Sequence, residues 1–149
     1  MNDITLLMTR DHRACDESFA RAETAASRSQ WSEAAIELVK FSAELERHFN
    51  TEESILFPRF EAVTGTTHGP TVAMRGEHVE MRSALGRLRD AVEVQDKDDY
   101  AGEAETLLIL MQQHNMKEEN ILYPLCDERL AAENLPTTLV KQLGRGPSA

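Results

Sequence analysis

The chain has 149 residues, the size of one ordinary domain with a single core. A formal net charge of −10 and a pI near 4.9 argue against a nucleic-acid partner or an anionic membrane surface, since both need clustered Lys and Arg. No apolar run reaches the ~20 residues that span a bilayer, the opening Met1-Asn2-Asp3-Ile4-Thr5-Leu6 lacks the marks of a secretory signal, and Cys15 and Cys126 are too few for a disulfide framework, so a cytoplasmic protein is expected.

Helical periodicity dominates from the start. Met8, His12, Cys15, Phe19 and Ala22 recur at alternating spacings of four and three and predict a first helix. The stretch 27–30 interrupts it, with Ser29 the expected N-cap of a helix opening at Trp31. That second helix carries Leu38, Phe41, Leu45, His48, Glu52 and Ile55 on one face. A loop at 64–70 follows, and Pro70 suits the first turn of a third helix bearing Met74, His78, Met81, Leu85, Leu88 and Val92. The loop at 95–98 offers Asp96 or Asp98 as cap of a fourth helix, with Ala104, Leu107, Met111, His114, Glu118 and Ile121. A short helix around 137–143 and a frayed end complete the chain.

No run alternates with period two, so the expected fold class is all-α. Short loops between long helices predict an up-down-up-down antiparallel four-helix bundle over residues 1–133, with a short C-terminal helix and flexible tail over 134–149. Pro58 and Pro124 are expected to kink the second and fourth helices at matching heights.

The pattern repeats at an offset of 66 residues. Segment 46–58, with His48, Glu52, Glu53, Ile55, Leu56, Phe57 and Pro58, returns as 112–124, with His114, Glu118, Glu119, Ile121, Leu122, Tyr123 and Pro124, and His12 falls on His78. Four of the five histidines therefore form two matched sets, each a lone His followed 36 residues later by His-x-x-x-Glu. His12 and His48 each lie 18 residues from the turn near position 30, and His78 and His114 each lie 18 from position 96. At ~1.5 Å rise per residue all four reach one level of the bundle.

Residues four apart share a helix face, so each His-x-x-x-Glu aims an imidazole and a carboxylate into one volume. One such pair is common on solvated helices. Two of them, level with two further inward histidines, give six donors: His12, His48, Glu52, His78, His114 and Glu118. This set suits a pair of first-row ions, each taking two histidines, with Glu52 and Glu118 as bridges. Mixed nitrogen and carboxylate ligands suit iron better than Mg²⁺ or Ca²⁺, with Zn or Mn as possible substitutes. Two buried carboxylates also need positive charge beside them, which the ions would supply. Since ligand histidines must be neutral, metal loss is expected below pH about 6.

On these residues, over about 4–130, the chain resembles the hemerythrin-like (HHE cation-binding) family, and most closely its bacterial members with four His and two Glu. The resemblance implies two Fe ions in a non-haem di-iron centre, oxo- or hydroxo-bridged when oxidised, that reacts with O₂, nitric oxide or peroxide. The oxygen-carrying hemerythrins have a further histidine where Arg82 stands and an aspartate where Glu119 stands. The expected function is therefore binding or turnover of a small oxidant, with a labile iron donor or sensor as the alternative and a protein redox or iron-acceptor partner possible. No nucleotide loop or nucleophile is present, so any oxidoreductase chemistry belongs to the metal centre.

Around the six, Glu53 and Glu119 sit ~100° off the ligand face and read as solvated, as do Asp11 and Glu77. His68 reads as a surface residue, Cys15 as a small core residue, and Met8, Met74, Met81, Met111 and Met116 mostly as packing. For Arg82, capping of the site and simple exposure remain open.

Overall fold

The computed structural model describes residues 2–144, and among them every regular element is helical. The first helix, α1, spans Asp3–Ser27. Helix α2, Trp31–Thr51, passes through a π-helical turn, Glu52–Leu56, into α3, Phe57–Thr64. Helix α4, Pro70–Glu93, is followed by α5, Lys97–Lys117, which passes through a second π-helical turn, Glu118–Leu122, into α6, Tyr123–Arg129. Helix α7, Leu135–Leu143, packs on α1 and α2. Residues 145–149, part of the expected tail, lie outside the described residues.

The 66-residue repeat is visible in the backbone. Helix α1 packs most closely on α2, and α4 on α5. Their connecting turns match: Gln30 N–H donates to Ala25 and Asp96 N–H to Ala91, with Ser29 and Gln95 in the left-handed region at φ 55° and 57°. Ser29 therefore ends α1 and does not cap α2; Gln30 takes the N-cap position without a side-chain bond. At the equivalent place Asp96 does cap, its carboxylate accepting from Asp99 N–H at 3.0 Å. The start of α1 is capped from far away: Asp127 on α6 accepts from the N–H groups of Ile4 and Thr5 at 2.8 and 3.1 Å, and from the Thr5 hydroxyl.

Both prolines lie just past a π-helical turn, at matching places in the repeat. Pro58 and Pro124 have no N–H, and their rings crowd the carbonyl four residues back. The residue before each proline instead donates five residues back, Phe57 to Glu52 and Tyr123 to Glu118. Each widened turn thus opens on a glutamate of the repeated motif, and such turns are frequent at functional sites.

The core is split by a polar layer. One apolar cluster holds Cys15, Phe19, Phe41, Leu45, Phe49, Met81, Leu85, Leu107 and Met111. The other holds Met8, Leu56, Phe57, Met74, Leu122, Tyr123 and Cys126, together with Leu135, Leu139 and Leu143 of α7. His12 lies between Met8 and Cys15 along α1, and His78 between Met74 and Met81 along α4. Burying each helix's apolar stripe on both sides of these residues fixes the histidines at one level. Met116 departs from the packing expected of it and is 60 % exposed.

Candidate metal centre

The polar layer consists of His12, His48, Glu52, His78, His114 and Glu118, and all six are buried. Their atoms sort into two groups. His78 Nε2 lies 2.9 Å from Glu52 Oε1, and His114 Nε2 lies 3.2 Å from Glu118 Oε2. These four atoms nevertheless have no hydrogen-bond partner. Their donor atoms lie within 4.8 Å of one another, close enough to share one cation.

The second group is formed by the other carboxylate oxygens. His12 Nε2 is 3.0 Å from Glu118 Oε1, and His48 Nε2 is 3.6 Å from Glu52 Oε2. Each glutamate therefore turns one oxygen to each histidine pair. His12, His48 and Glu118 by themselves also meet closely enough to hold an ion.

Sequence reasoning missed Tyr123. Its hydroxyl sits inside the second group, donating towards Glu52 Oε2 at 2.6 Å and Glu118 Oε1 at 2.8 Å, with His12 Nε2 at 3.1 Å and His48 Nε2 at 3.2 Å. Burial raises the pKa of this phenol well above its usual value, and Glu118 and Glu52 add to the rise, so the phenol keeps its proton. The repeat carried the signal: adding 66 to Phe57 gives Tyr123, so only one side of the layer bears a hydroxyl.

The acids beside these six residues bond to the histidines, contrary to the solvated-face reading. His12 Nδ1 is 2.7 Å from Glu119, His48 Nδ1 2.7 Å from Asp11, His78 Nδ1 2.6 Å from Glu53, and His114 Nδ1 2.9 Å from Glu77. An ionised carboxylate only accepts, so each Nδ1 carries the proton and the Nε2 lone pair is left for the centre. The pattern obeys the repeat, Asp11 to His48 matching Glu77 to His114, and Glu53 to His78 matching Glu119 to His12. An ideal α-helix would turn Glu53 away from Glu52, but both π turns begin at these glutamate pairs.

Arg82 is part of this second ring. It donates to both oxygens of Glu53, at 2.9 and 3.0 Å, and to Glu46. Burial would raise the pKa of Glu53, but the bonds from Arg82 and His78 outweigh it and hold the carboxyl below its usual range. His68 is exposed, as expected, and Cys15 and Cys126 are buried free thiols.

The layer's electrostatics fit a cationic guest. Burial opposes charge on every member, yet Glu52 is held well below the usual carboxylate range, above all by His48. His48 is raised well above the usual histidine range, chiefly by Glu52 and then Asp11, and Glu118 raises His114 to about 9. Without a metal, protons on the histidines must balance the two buried carboxylates. Four unpartnered, converging donor atoms are costly unless something binds them.

A family model described as the hemerythrin HHE cation binding domain matches residues 3–126. No curated protein and no solved structure matches the chain.

Proposed function

Because the chain belongs to the hemerythrin HHE cation-binding domain family, we propose that it holds two iron ions and binds or reacts with a small oxidant: O₂, nitric oxide or peroxide. His12 and His48 serve one ion and His78 and His114 the other. Glu52 and Glu118 would each offer one oxygen to either ion. The single observation that carries this reading is that each glutamate turns one oxygen to each histidine pair. Zn or Mn would fit the same donors. The scaffold in this reading is an up-down-up-down antiparallel bundle over residues 1–133 with 134–149 appended, acting in the cytoplasm, with a redox or iron-acceptor protein as partner.

Bound iron would supply the redox change and bind a diatomic or peroxide ligand. The chain's own residues set the conditions. The second-ring carboxylates hold each imidazole in one tautomer and orientation. The two apolar clusters exclude water and strengthen every charge interaction in the layer. Tyr123 holds a proton at its hydroxyl oxygen within reach of both glutamates, where it can donate to an oxygen-bearing ligand.

One observation favours a second reading, a labile iron donor or sensor. The Tyr123 hydroxyl already contacts all four donors of the His12–His48 group, so an ion there must displace it. Mixing Fe(II)-loaded protein with excess peroxide, nitric oxide or O₂ separates the two. Consumption over many turnovers supports oxidant chemistry at the centre. Rapid loss of iron to an acceptor, with little consumption, supports donation.

A further inference from the structure

The repeat allows the two sides of the centre to be compared residue by residue, and they differ. On the His78 side, Phe49 stacks on the imidazole with ring centroids 4.0 Å apart, and Phe57 lies nearly parallel to it at 5.8 Å. The Arg82 guanidinium covers Phe49 at 5.2 Å, and Arg75 covers Phe57 at 5.4 Å. Both arginines are locked by acids, Arg82 by Glu46 and Glu53 and Arg75 by Glu61. Subtracting or adding 66 replaces Arg82 by Asp16, Arg75 by Thr9, Phe49 by Asn115 and Phe57 by Tyr123.

The His12 side is therefore polar and acidic where its counterpart is aromatic, with its carboxylates neutralised by two arginines. Asp16 is exposed and Asn115 half-buried, and the Glu119 side chain is 31 % exposed while its carboxylate touches His12 Nδ1. His12 is the most exposed of the four imidazoles, at 5 % against 2 % for His48, 1 % for His114 and 0 % for His78. The Thr9 hydroxyl on this side is buried without a hydrogen-bond partner. The Asp16 carboxyl is raised by burial, and it interacts with both His12, which lowers it, and Glu119, which raises it, so its field reaches the site.

We propose that divalent cations enter and leave the centre on the His12 side, between Asp16, Asn115 and Glu119, and that the His78 side is closed to them. The proposal rests on the metal-binding reading above. A cation approaching His78 meets two guanidinium groups over two phenyl rings, and the carboxylates there, Glu46, Glu53 and Glu61, are already paired with Arg82 and Arg75. On the other side it meets two neighbouring carboxylates, and Glu119 leads directly to the first ligand. Carboxylates that line an approach concentrate cations and steer them inward, an effect worth roughly ten- to a thousandfold in rate.

The test uses the full chain and Co(II), followed by its visible absorption during uptake by metal-stripped protein and during release to a chelator. Asp16→Arg copies Arg82 and Asn115→Phe copies Phe49. Each is expected to slow uptake and release about tenfold or more while leaving the final amount of bound metal unchanged. Asp16→Asn, a milder change that avoids a misfolded variant, is expected to slow uptake several-fold. Arg75→Glu, an opposite charge change on the sealed side, is expected to leave both rates within about twofold. Unchanged rates in all three His12-side variants, or faster uptake in Arg75→Glu, would overturn the route. Failure of the wild-type chain to take up metal overturns the metal-binding reading itself.

Discussion

The Asp11 carboxylate accepts a hydrogen bond from His48 Nδ1 at 2.7 Å, crossing from α1 to α2, while its chain neighbour His12 faces the same centre with its own ring. An acid next to one ligand thus orients a ligand on another helix. The same crossing recurs between Glu77 on α4 and His114 on α5. The helices are tied together by the residues that aim the site, so packing and ligand geometry are not independent.

Asp11→Ala removes that orientation and leaves His48 free to change tautomer. Loss of such a partner is expected to weaken metal binding about ten- to a hundredfold with helical content retained. Competition with a chelator of known affinity measures it. Unchanged affinity would mean that the His48 ring is held by packing alone.

The raised histidines set a pH dependence whose sign differs between the metal-free and loaded protein. His114 has a folded pKa of about 9 against an ordinary value of 6.5, and His12 and His48 are also raised. A group raised in the folded state stabilises the fold fully below its unfolded pKa and loses that contribution as pH rises through the folded one. The metal-free protein is therefore expected to melt at a higher temperature at pH 6.5 than at pH 9. Metal needs the same nitrogens deprotonated, so loading releases protons and tightens over the same window. Proton competition thus begins above the pH of about 6 read from the ordinary histidine value. Melting temperatures of the metal-free chain that rise across this window would contradict the assignment.

Tyr123→Phe copies Phe57 and removes the donor that both buried glutamates share. Metal-free protein is expected to lose about 1–3 kcal/mol of stability, since the carboxylate oxygens lose a buried partner. The loaded protein is expected to lose much less, because the ions take over those oxygens. Chemical denaturation with and without metal reads both values. Equal losses in the two forms would show that the phenol acts apart from the metal donors.

Asp127→Ala tests the long-range cap. The carboxylate satisfies the Ile4 and Thr5 N–H groups at the start of α1, across more than 120 residues of sequence. Loss of a charged cap is expected to cost about 2 kcal/mol and to lower the melting temperature by about 5 °C. An unchanged melting temperature would mean that water replaces the cap without penalty.

The helical class and the meeting of the six side chains at one level were legible because they rest on spacing alone. His12, His48, His78 and His114 follow the 3.6-residue period, and the offset of 66 ties them into pairs. The second ring was not legible for a physical reason. Glu53 and Glu119 look solvated on an ideal α-helix, yet each reaches a histidine of another helix, Glu53 to His78 and Glu119 to His12. Asp11 and Glu77 serve histidines on a neighbouring helix, a relationship that no single helical face reveals. Ser29 failed as a cap because the turn places it in the left-handed region, where its hydroxyl makes no bond to the start of α2. Tyr123 was present in the repeat, but its meaning depended on the hydroxyl reaching the centre.

The most direct measurement is the number of irons retained per chain after anaerobic Fe(II) loading and desalting. Two per chain are expected, falling below stoichiometric in His48→Ala and Glu118→Ala and unchanged in His68→Ala, whose imidazole is exposed in the 64–70 loop. Retention of no iron by a chain whose helical content is intact would contradict the di-iron centre.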